Sequence, residues 1–125
     1  MIDQIKKILK QQESVLFAYL FGSHAEQAAT TLSDIDIAVY LAEEDKSRAF
    51  VLKTDIYVQL SKALKQNKID VVILNHCSNI ILLDRIISTG VLILDTATPL
   101  REDYEQRTLH KAIDFKTQRK MAMDI

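Results

Sequence analysis

Four short apolar segments, each the length of a β-strand, alternate along the chain with longer segments of helical periodicity. This alternation constrains the fold most, because strands separated by helices pack as one sheet covered by helices. The predicted strands cover residues 15–21, 34–41, 69–74 and 91–94, and the main predicted helices cover 2–12, 45–66 and 98–120. We therefore expect a single α/β (α+β) domain over residues 1–125 around one sheet of about four strands. The pattern leaves the strand order open.

Several helix ends carry residues with known capping preferences. Ser78 or Asn79 is a good N-cap for a further helix that runs to about residue 89, where Gly90 provides the C-terminal turn. Thr98-Pro99 predicts an N-cap followed by proline at the first helical position. In the last helix, the predicted buried side chains are Tyr104, Leu109, Ala112, Ile113 and Phe115.

The composition supports a globular domain and argues against several kinds of partner. Hydrophobic residues make up 48% of the 125 residues, which suits a real core. The net charge is −1, from 16 basic and 17 acidic residues, so we expect no strong binding to nucleic acid. No apolar run approaches the ~20 residues that cross a bilayer, and the first residues lack a secretory signal pattern. Because Cys77 is the single cysteine, no internal disulfide forms, and we expect a cytoplasmic protein without membrane contact.

The first predicted strand ends abruptly in Gly22-Ser23. Glycine lets the backbone approach a ligand closely, and free amides at the start of a helical turn attract an anion. The Ser23 hydroxyl adds one more donor. Gly22 and Ser23 are therefore candidate nucleotide-binding residues that contact a phosphate chain.

Asp34 and Asp36 lie two residues apart on the second predicted strand. In a strand this spacing places both carboxylates on one face, roughly 6–7 Å apart at the backbone. Like charges held side by side repel, and a divalent cation turns that repulsion into attraction. Mg²⁺ prefers oxygen ligands and commonly takes one or two carboxylates plus substrate phosphates. The pair is a candidate metal site.

Asp70 begins the third predicted strand and is followed by apolar residues. If that strand lies beside the one carrying Asp34 and Asp36, three carboxylates converge. Three carboxylates can hold two cations roughly 3.5–4 Å apart, an arrangement that serves phosphoryl and nucleotidyl transfer. Asp70 would also accept the proton of an attacking hydroxyl. Asp34, Asp36 and Asp70 are thus the candidate catalytic residues and metal ligands.

Each feature alone also has a structural interpretation. Gly22-Ser23 is typical of an ordinary turn from strand to helix. The Asp34 and Asp36 pair is also typical of a solvated strand edge, and Asp70 is also typical of a polar strand start. His76-Cys77 lacks a second ligand pair for zinc. The last helix, with Arg101, Tyr104 and Arg107, either docks a partner or only covers the sheet.

Gly22-Ser23, ten intervening residues and Asp34-Ile35-Asp36 together resemble the signature of the DNA polymerase β-like nucleotidyltransferase superfamily. Asp70 matches the third acidic residue of that family in position and context. The small size and the absence of an added substrate domain resemble the minimal nucleotidyltransferases, including the MntA-type antitoxins. The resemblance implies the polymerase β-like fold, with a mixed sheet flanked by helices.

The resemblance also implies an activity: Mg²⁺-dependent transfer of AMP from ATP, with two Mg²⁺ ions, to a tyrosine of a partner HEPN-domain toxin. One departure is that many relatives follow Gly-Ser with an arginine and a further glycine, whereas this chain has His24-Ala25. His24 or a lysine from elsewhere is the candidate replacement. Two alternatives stay open: nucleotidyl transfer to a small molecule or an RNA end, and a non-catalytic antitoxin that neutralises its partner by covering it.

Overall fold

The computed structural model describes residues 1–26 and 33–123. Within them, one four-stranded mixed sheet is flanked by four α-helices, which confirms the predicted fold class. The elements are α1 (Ile2–Lys10), β1 (Val15–Phe21), a 3₁₀ turn (Gly22–His24), β2 (Ile35–Leu41), α2 (Lys46–Leu64), β3 (Ile69–Ile73), a second 3₁₀ turn (Leu74–His76), α3 (Ile80–Thr89), β4 (Val91–Asp95) and α4 (Thr98–Met123).

The strand order is β3-β2-β1-β4, which the sequence pattern had left open. β1 is antiparallel to both of its neighbours, β2 and β4. β2 and β3 are parallel, and α2 connects them. Parallel neighbours need such a crossover, so the long helix between residues 45 and 66 is what allows β3 to lie beside β2.

The two faces of the sheet have separate apolar clusters. Ile35, Ile37 and Val39 pack with side chains of α1 and α2. Ala38, on the other face, belongs to a cluster with side chains of α3 and α4. This alternation follows from the period of two in a strand, and it assigns Asp36 to the α3/α4 face.

The helix ends follow the capping chemistry with small differences. The Asp45 side chain accepts from the Arg48 amide at 3.0 Å, and Asn79 rather than Ser78 caps α3 by accepting from the Leu82 amide at 3.2 Å. Thr98, predicted as an N-cap, is the first residue of α4, and its hydroxyl donates to Asp95 at 2.9 Å. Gly90 follows α3 with an extended backbone, and a Cβ there would lie 2.3 Å from the Ile86 carbonyl oxygen.

The burial of α4 differs from the prediction. Tyr104 and Ala112 are buried as expected, together with Thr108, which forms the same i, i+4, i+8 face. The predicted burial of the other three side chains is wrong, since 37%, 61% and 41% of their surfaces are exposed in Leu109, Ile113 and Phe115. One narrow face of α4 meets the sheet, so the apolar residues beside it stay on the surface.

Two further predictions concern the region after β1. The short helix or turn predicted over residues 24–30 and the loop over 30–33 fall partly on residues 27–32, which lie outside the described residues. Across residues 1–26 and 33–123, no helix is both long and apolar enough to span a membrane.

Candidate active site

The turn after β1 brings the backbone of Gly22 against the Asp36 side chain. Gly22 has φ +73°, a conformation that residues with a Cβ rarely adopt. A Cβ on Gly22 would lie 2.3 Å from Asp36 Oδ2, so the approach requires glycine. The Gly22 carbonyl oxygen accepts from the Ala25 and Glu26 amides at 3.1 and 3.0 Å, which closes the turn. The two halves of the sequence motif therefore meet in space.

Asp36 and Asp70 are paired in the β2–β3 ladder. Their neighbours Ile35 and Ile69, also paired, are buried on the α1/α2 face, so both aspartates leave the sheet on the opposite face. On its other side, Asp36 is paired with Phe21 of β1. The third strand therefore lies beside the second, as the predicted convergence of the carboxylates required.

Asp34 lies just before β2, not within it as predicted, and is exposed. It still interacts electrostatically with Asp36. Asp70 is exposed as well, whereas Asp36 is half-buried. The structure thus places one half-buried carboxylate within electrostatic range of two exposed ones.

Burial and neighbouring charge raise the pKa of Asp36 above its ordinary value of 3.8. Burial is the main cause, the charges of Asp70 and then Asp34 add to it, and His24 acts in the opposite direction. Positive charge near Asp36 would therefore stabilise its ionised form. A bound cation would supply more of it than a histidine can.

His24 places an imidazole nitrogen at this site. Its Nε2 atom is buried and, among the described residues, has no hydrogen-bond partner. A buried polar atom without a partner costs free energy unless a ligand or water satisfies it. The atom is therefore available to a polar ligand at the Gly22–Asp36 contact.

The carboxylates suit Mg²⁺ by chemistry. Within the described part of the chain, no three His, Cys, Asp or Glu side chains are gathered closely enough to form a complete metal site by themselves. Mg²⁺ needs no such cage, because it commonly takes one or two carboxylates and completes its shell with water and substrate phosphates. Asp36 with Asp70 provides this pair, and the Gly22 turn lies directly against the Asp36 carboxylate.

Two features near the site had no sequence signal. A groove of about 450 Å³ runs along the outer edge of β3, and Asp70 and Lys53 of α2 both line it. Arg85 of α3 forms an ion pair with Glu26 at 3.1 Å, which ties α3 to the turn after Gly22. Both depend on how the helices pack, so only the tertiary structure could reveal them.

The remaining candidates of the sequence have structural roles. His76 Nε2 lies 3.1 Å from the Glu43 carbonyl oxygen, and His110 is exposed. Tyr40 stacks on Phe17 with ring centroids 4.7 Å apart and so has a packing role. Arg101 binds Asp95 at 2.8 Å and fastens the start of α4 to the end of β4.

Comparison with known proteins gives one family and a set of similar structures. A family model described as Polymerase beta, Nucleotidyltransferase matches residues 3–98. A chain in the crystal structure of a toxin-antitoxin with AMP-PNP is 25% identical with TM-score 0.79, covering 98% of this chain and 95% of that one. A chain in a mutant MntA-HpeT toxin-antitoxin is 26% identical with TM-score 0.76, covering 98% and 94%.

A further similarity concerns the fold alone. A chain in the complex of a tri-AMPylated Shewanella oneidensis HEPN toxin with MNT antitoxin is 22% identical with TM-score 0.71, covering 99% of this chain and 97% of that one. Among proteins of curated function, none matches this chain significantly.

Proposed function

Because this chain belongs to the polymerase beta nucleotidyltransferase family, we propose that it transfers AMP from ATP, with Mg²⁺, to a hydroxyl of a partner protein. The proposed acceptor is a tyrosine of a HEPN-type toxin, which makes the chain an antitoxin acting in the cytoplasm. Residues 1–125 act as one nucleotidyltransferase domain. The observation that carries the proposal is the pairing of Asp36 with Asp70 beside the Gly22 turn.

The site residues divide the chemistry among them. The acceptor hydroxyl attacks the α-phosphorus of ATP, the bond from that phosphorus to the bridging oxygen breaks, and pyrophosphate leaves. Asp70, exposed at the edge of the site, accepts the hydroxyl proton. Asp34, Asp36 and Asp70 would hold two Mg²⁺ ions, which supply positive charge to the attacking and leaving oxygens. Ser23 and the backbone of the Gly22 turn bind the phosphates.

Two side chains are candidates for the arginine that this chain lacks after Gly-Ser. His24 has the buried Nε2 atom without a partner in the described residues. Lys53 lines the groove that also contains Asp70. In this proposal, the side chains of His24 and Lys53 bind the distal phosphates of ATP, because pyrophosphate needs charge-assisted hydrogen bonds as it leaves.

ATP and a toxin partner are supported by the similar structures. The chain shares 25% identity with a chain from a toxin-antitoxin bound to AMP-PNP, an ATP analogue, and 26% with one from an MntA-HpeT complex. Exposed apolar side chains also favour a protein partner over a small molecule: Ile113 of α4 and Phe50 and Val51 of α2 are 61%, 65% and 66% exposed.

The decisive experiment measures the mass of the partner. The chain is incubated with Mg²⁺, ATP and the product of the adjacent gene, and that product is then examined by intact-protein mass spectrometry. We expect a gain of AMP units on a tyrosine with the unchanged chain and none with Asp36→Asn. Neutralisation of the partner with no change of mass would favour the non-catalytic covering alternative.

A further inference from the structure

A second polar pocket lies on the α3/α4 face of the sheet, at the opposite end of β2 from Asp36. Its volume is about 220 Å³, and Tyr40, four residues along β2 from Asp36, lines it. Four residues of strand separate the two positions by ~13 Å. The pocket therefore lies away from Asp36 along the strand, and it adjoins the β3 groove at Cys77, which lines both.

One helix supplies the polar wall of this pocket. Tyr104, Arg107, Thr108 and Lys111 of α4 all line it. Their spacing of i, i+3, i+4 and i+7 places them on one side of the helix. In the described part of the chain, no acidic side chain lines the pocket. The helix thus brings two cations and two hydroxyl groups to a cavity that Tyr40 also lines.

The Tyr104 hydroxyl lies at the buried end. Only 9% of the Tyr104 surface is exposed, and its hydroxyl oxygen has no hydrogen-bond partner of acceptable geometry among the described residues. Burial is the main cause that raises the pKa of Tyr104 to about 12, so the phenol stays protonated at neutral pH. Thr108, one turn further, is 4% exposed. A buried donor without an acceptor is a specific reason to expect a ligand.

The two cationic side chains, Arg107 and Lys111, differ in whether they already form an ion pair. Arg107 already forms an ion pair with Asp103 at 2.9 Å. Lys111 forms no ion pair within residues 1–26 and 33–123. Lys111 also lines a neighbouring groove of about 560 Å³, which gives an open approach to the pocket. Asp114 lines that groove but not the pocket, so Lys111 is the cation of the pocket that no ion pair of the described residues engages.

We propose that this pocket binds a small oxyanion, a phosphate or carboxylate group, through the Tyr104 and Thr108 hydroxyls and the charges of Lys111 and Arg107. The group can come from free phosphate or from an acidic side chain of a partner protein. The inference rests on the geometry of α4 and does not depend on nucleotidyl transfer at Asp36.

The single cysteine provides a probe, because Cys77 lines this pocket. Cys77 also lines the β3 groove with Lys53 and Asp70, so Lys53→Gln serves as the control for an anion bound in that groove and should leave the protection unchanged. The rate of Cys77 alkylation by neutral iodoacetamide is measured with increasing inorganic phosphate or acetate, at ionic strength held constant with chloride. We expect saturable protection of Cys77. Protection by phosphate at the lower concentration identifies a phosphate site, and equal or better protection by acetate identifies a carboxylate site.

Variants separate binding from a general salt effect. Lys111→Gln should raise the half-protecting concentration about tenfold, the loss expected for one charge-assisted hydrogen bond. Tyr104→Phe should raise it less, and Lys120→Gln, an exposed lysine further along α4, should leave it unchanged. Absence of protection by both anions, or equal protection in the unchanged chain and Lys111→Gln, would overturn the proposal.

A second measurement tests the charge without any added anion. Iodoacetate is negatively charged, so a cationic pocket should raise its rate at Cys77 relative to iodoacetamide. The ratio of the two rates is compared with that of the same chain unfolded in urea. A ratio that is no higher in the folded chain would also contradict the proposal.

Discussion

Asp36 and Asp70 are paired on adjacent parallel strands, so their carboxylates leave the same face of the sheet side by side. Adjacent strands lie ~4.8 Å apart, and like charges at that spacing repel unless a cation or a proton lies between them. The glycine turn packs directly against Asp36 and leaves no room for a side chain at position 22.

Removal of either paired carboxylate should abolish transfer. We expect Asp36→Asn and Asp70→Asn each to lower the rate of AMP incorporation about a thousandfold or more, because charge stabilisation worth several kcal/mol is lost. Incorporation of label from α-labelled ATP into the partner protein measures this. Asp3→Asn removes an acid from α1, away from the site, and should have no effect. Near-normal transfer by Asp36→Asn would show that the metal ligands are wrongly assigned.

The same substitution should stabilise the fold near neutral pH. Burial, then the charges of Asp70 and Asp34, raise the pKa of Asp36. A carboxyl with a raised pKa contributes stability below its unfolded value of 3.8, and this contribution is lost as pH rises through the folded value. Asp36→Asn should therefore raise Tm near pH 7 by a few degrees, roughly the effect of 1 kcal/mol. Thermal denaturation without metal measures this, and the gain should disappear below pH 3.8.

Gly22→Ala should destabilise the protein and inactivate it. The φ of +73° and the contact with Asp36 Oδ2 both oppose a Cβ, at a combined cost of about 1–3 kcal/mol. Urea denaturation measures the cost in two backgrounds. With Asp36→Ala also present the contact is removed and only the backbone strain remains, so the cost of Gly22→Ala should fall. An equal cost in both backgrounds would show that the two residues do not interact.

Arg101 should matter for stability more than an exposed arginine on the same helix. Its guanidinium is 17% exposed and binds Asp95 and Glu105, and Glu105 also accepts from the Tyr19 hydroxyl at 2.8 Å. Arg101→Gln leaves those carboxylates without a cation, so we expect a loss of about 1–3 kcal/mol in urea denaturation. Arg107→Gln, whose guanidinium is 58% exposed, should cost less than ~0.5 kcal/mol.

This network should also depend on pH. Burial raises the pKa of Asp95, but hydrogen bonds from Arg101 and Thr98 outweigh it and lower that pKa below 3.8. The contribution of Asp95 is therefore present above pH 3.8 and lost as pH falls through the lower folded value. The difference in stability between the unchanged chain and Arg101→Gln should narrow in strong acid. A constant difference across that range would contradict the role of Asp95.

Local patterns in the sequence were sufficient to predict most of the helices and strands. Asp36 between Ile35 and Ile37 predicted a strand whose aspartate and isoleucines face opposite sides, and the structure has this alternation, with an apolar cluster on each side. The placement of β1 between β2 and β4 was not predictable, because strand order depends on contacts between distant segments. The pairing of Asp70 with Asp36 could be stated only as a condition, for the same reason.

The last helix shows a second limit of sequence patterns. Leu109 and Ile113 are apolar and correctly spaced, yet the sheet meets the face carrying Tyr104, Thr108 and Ala112. Periodicity indicates that a helix has faces, but not which one the tertiary structure covers. For the same reason, no sequence pattern indicated that Lys53 and Asp70 line one groove.

Among the strands that the structure describes, β3 lies at an edge and pairs with β2 alone. β3 also carries Asp70. A cation bound by both Asp70 and Asp36 would therefore hold β3 to β2 through their side chains, in addition to the backbone hydrogen bonds. Occupancy of the site and local opening of the strand are then linked. Amide hydrogen exchange in β3 should slow when Mg²⁺ and nucleotide are added, while exchange in β4, at the far edge, stays unchanged.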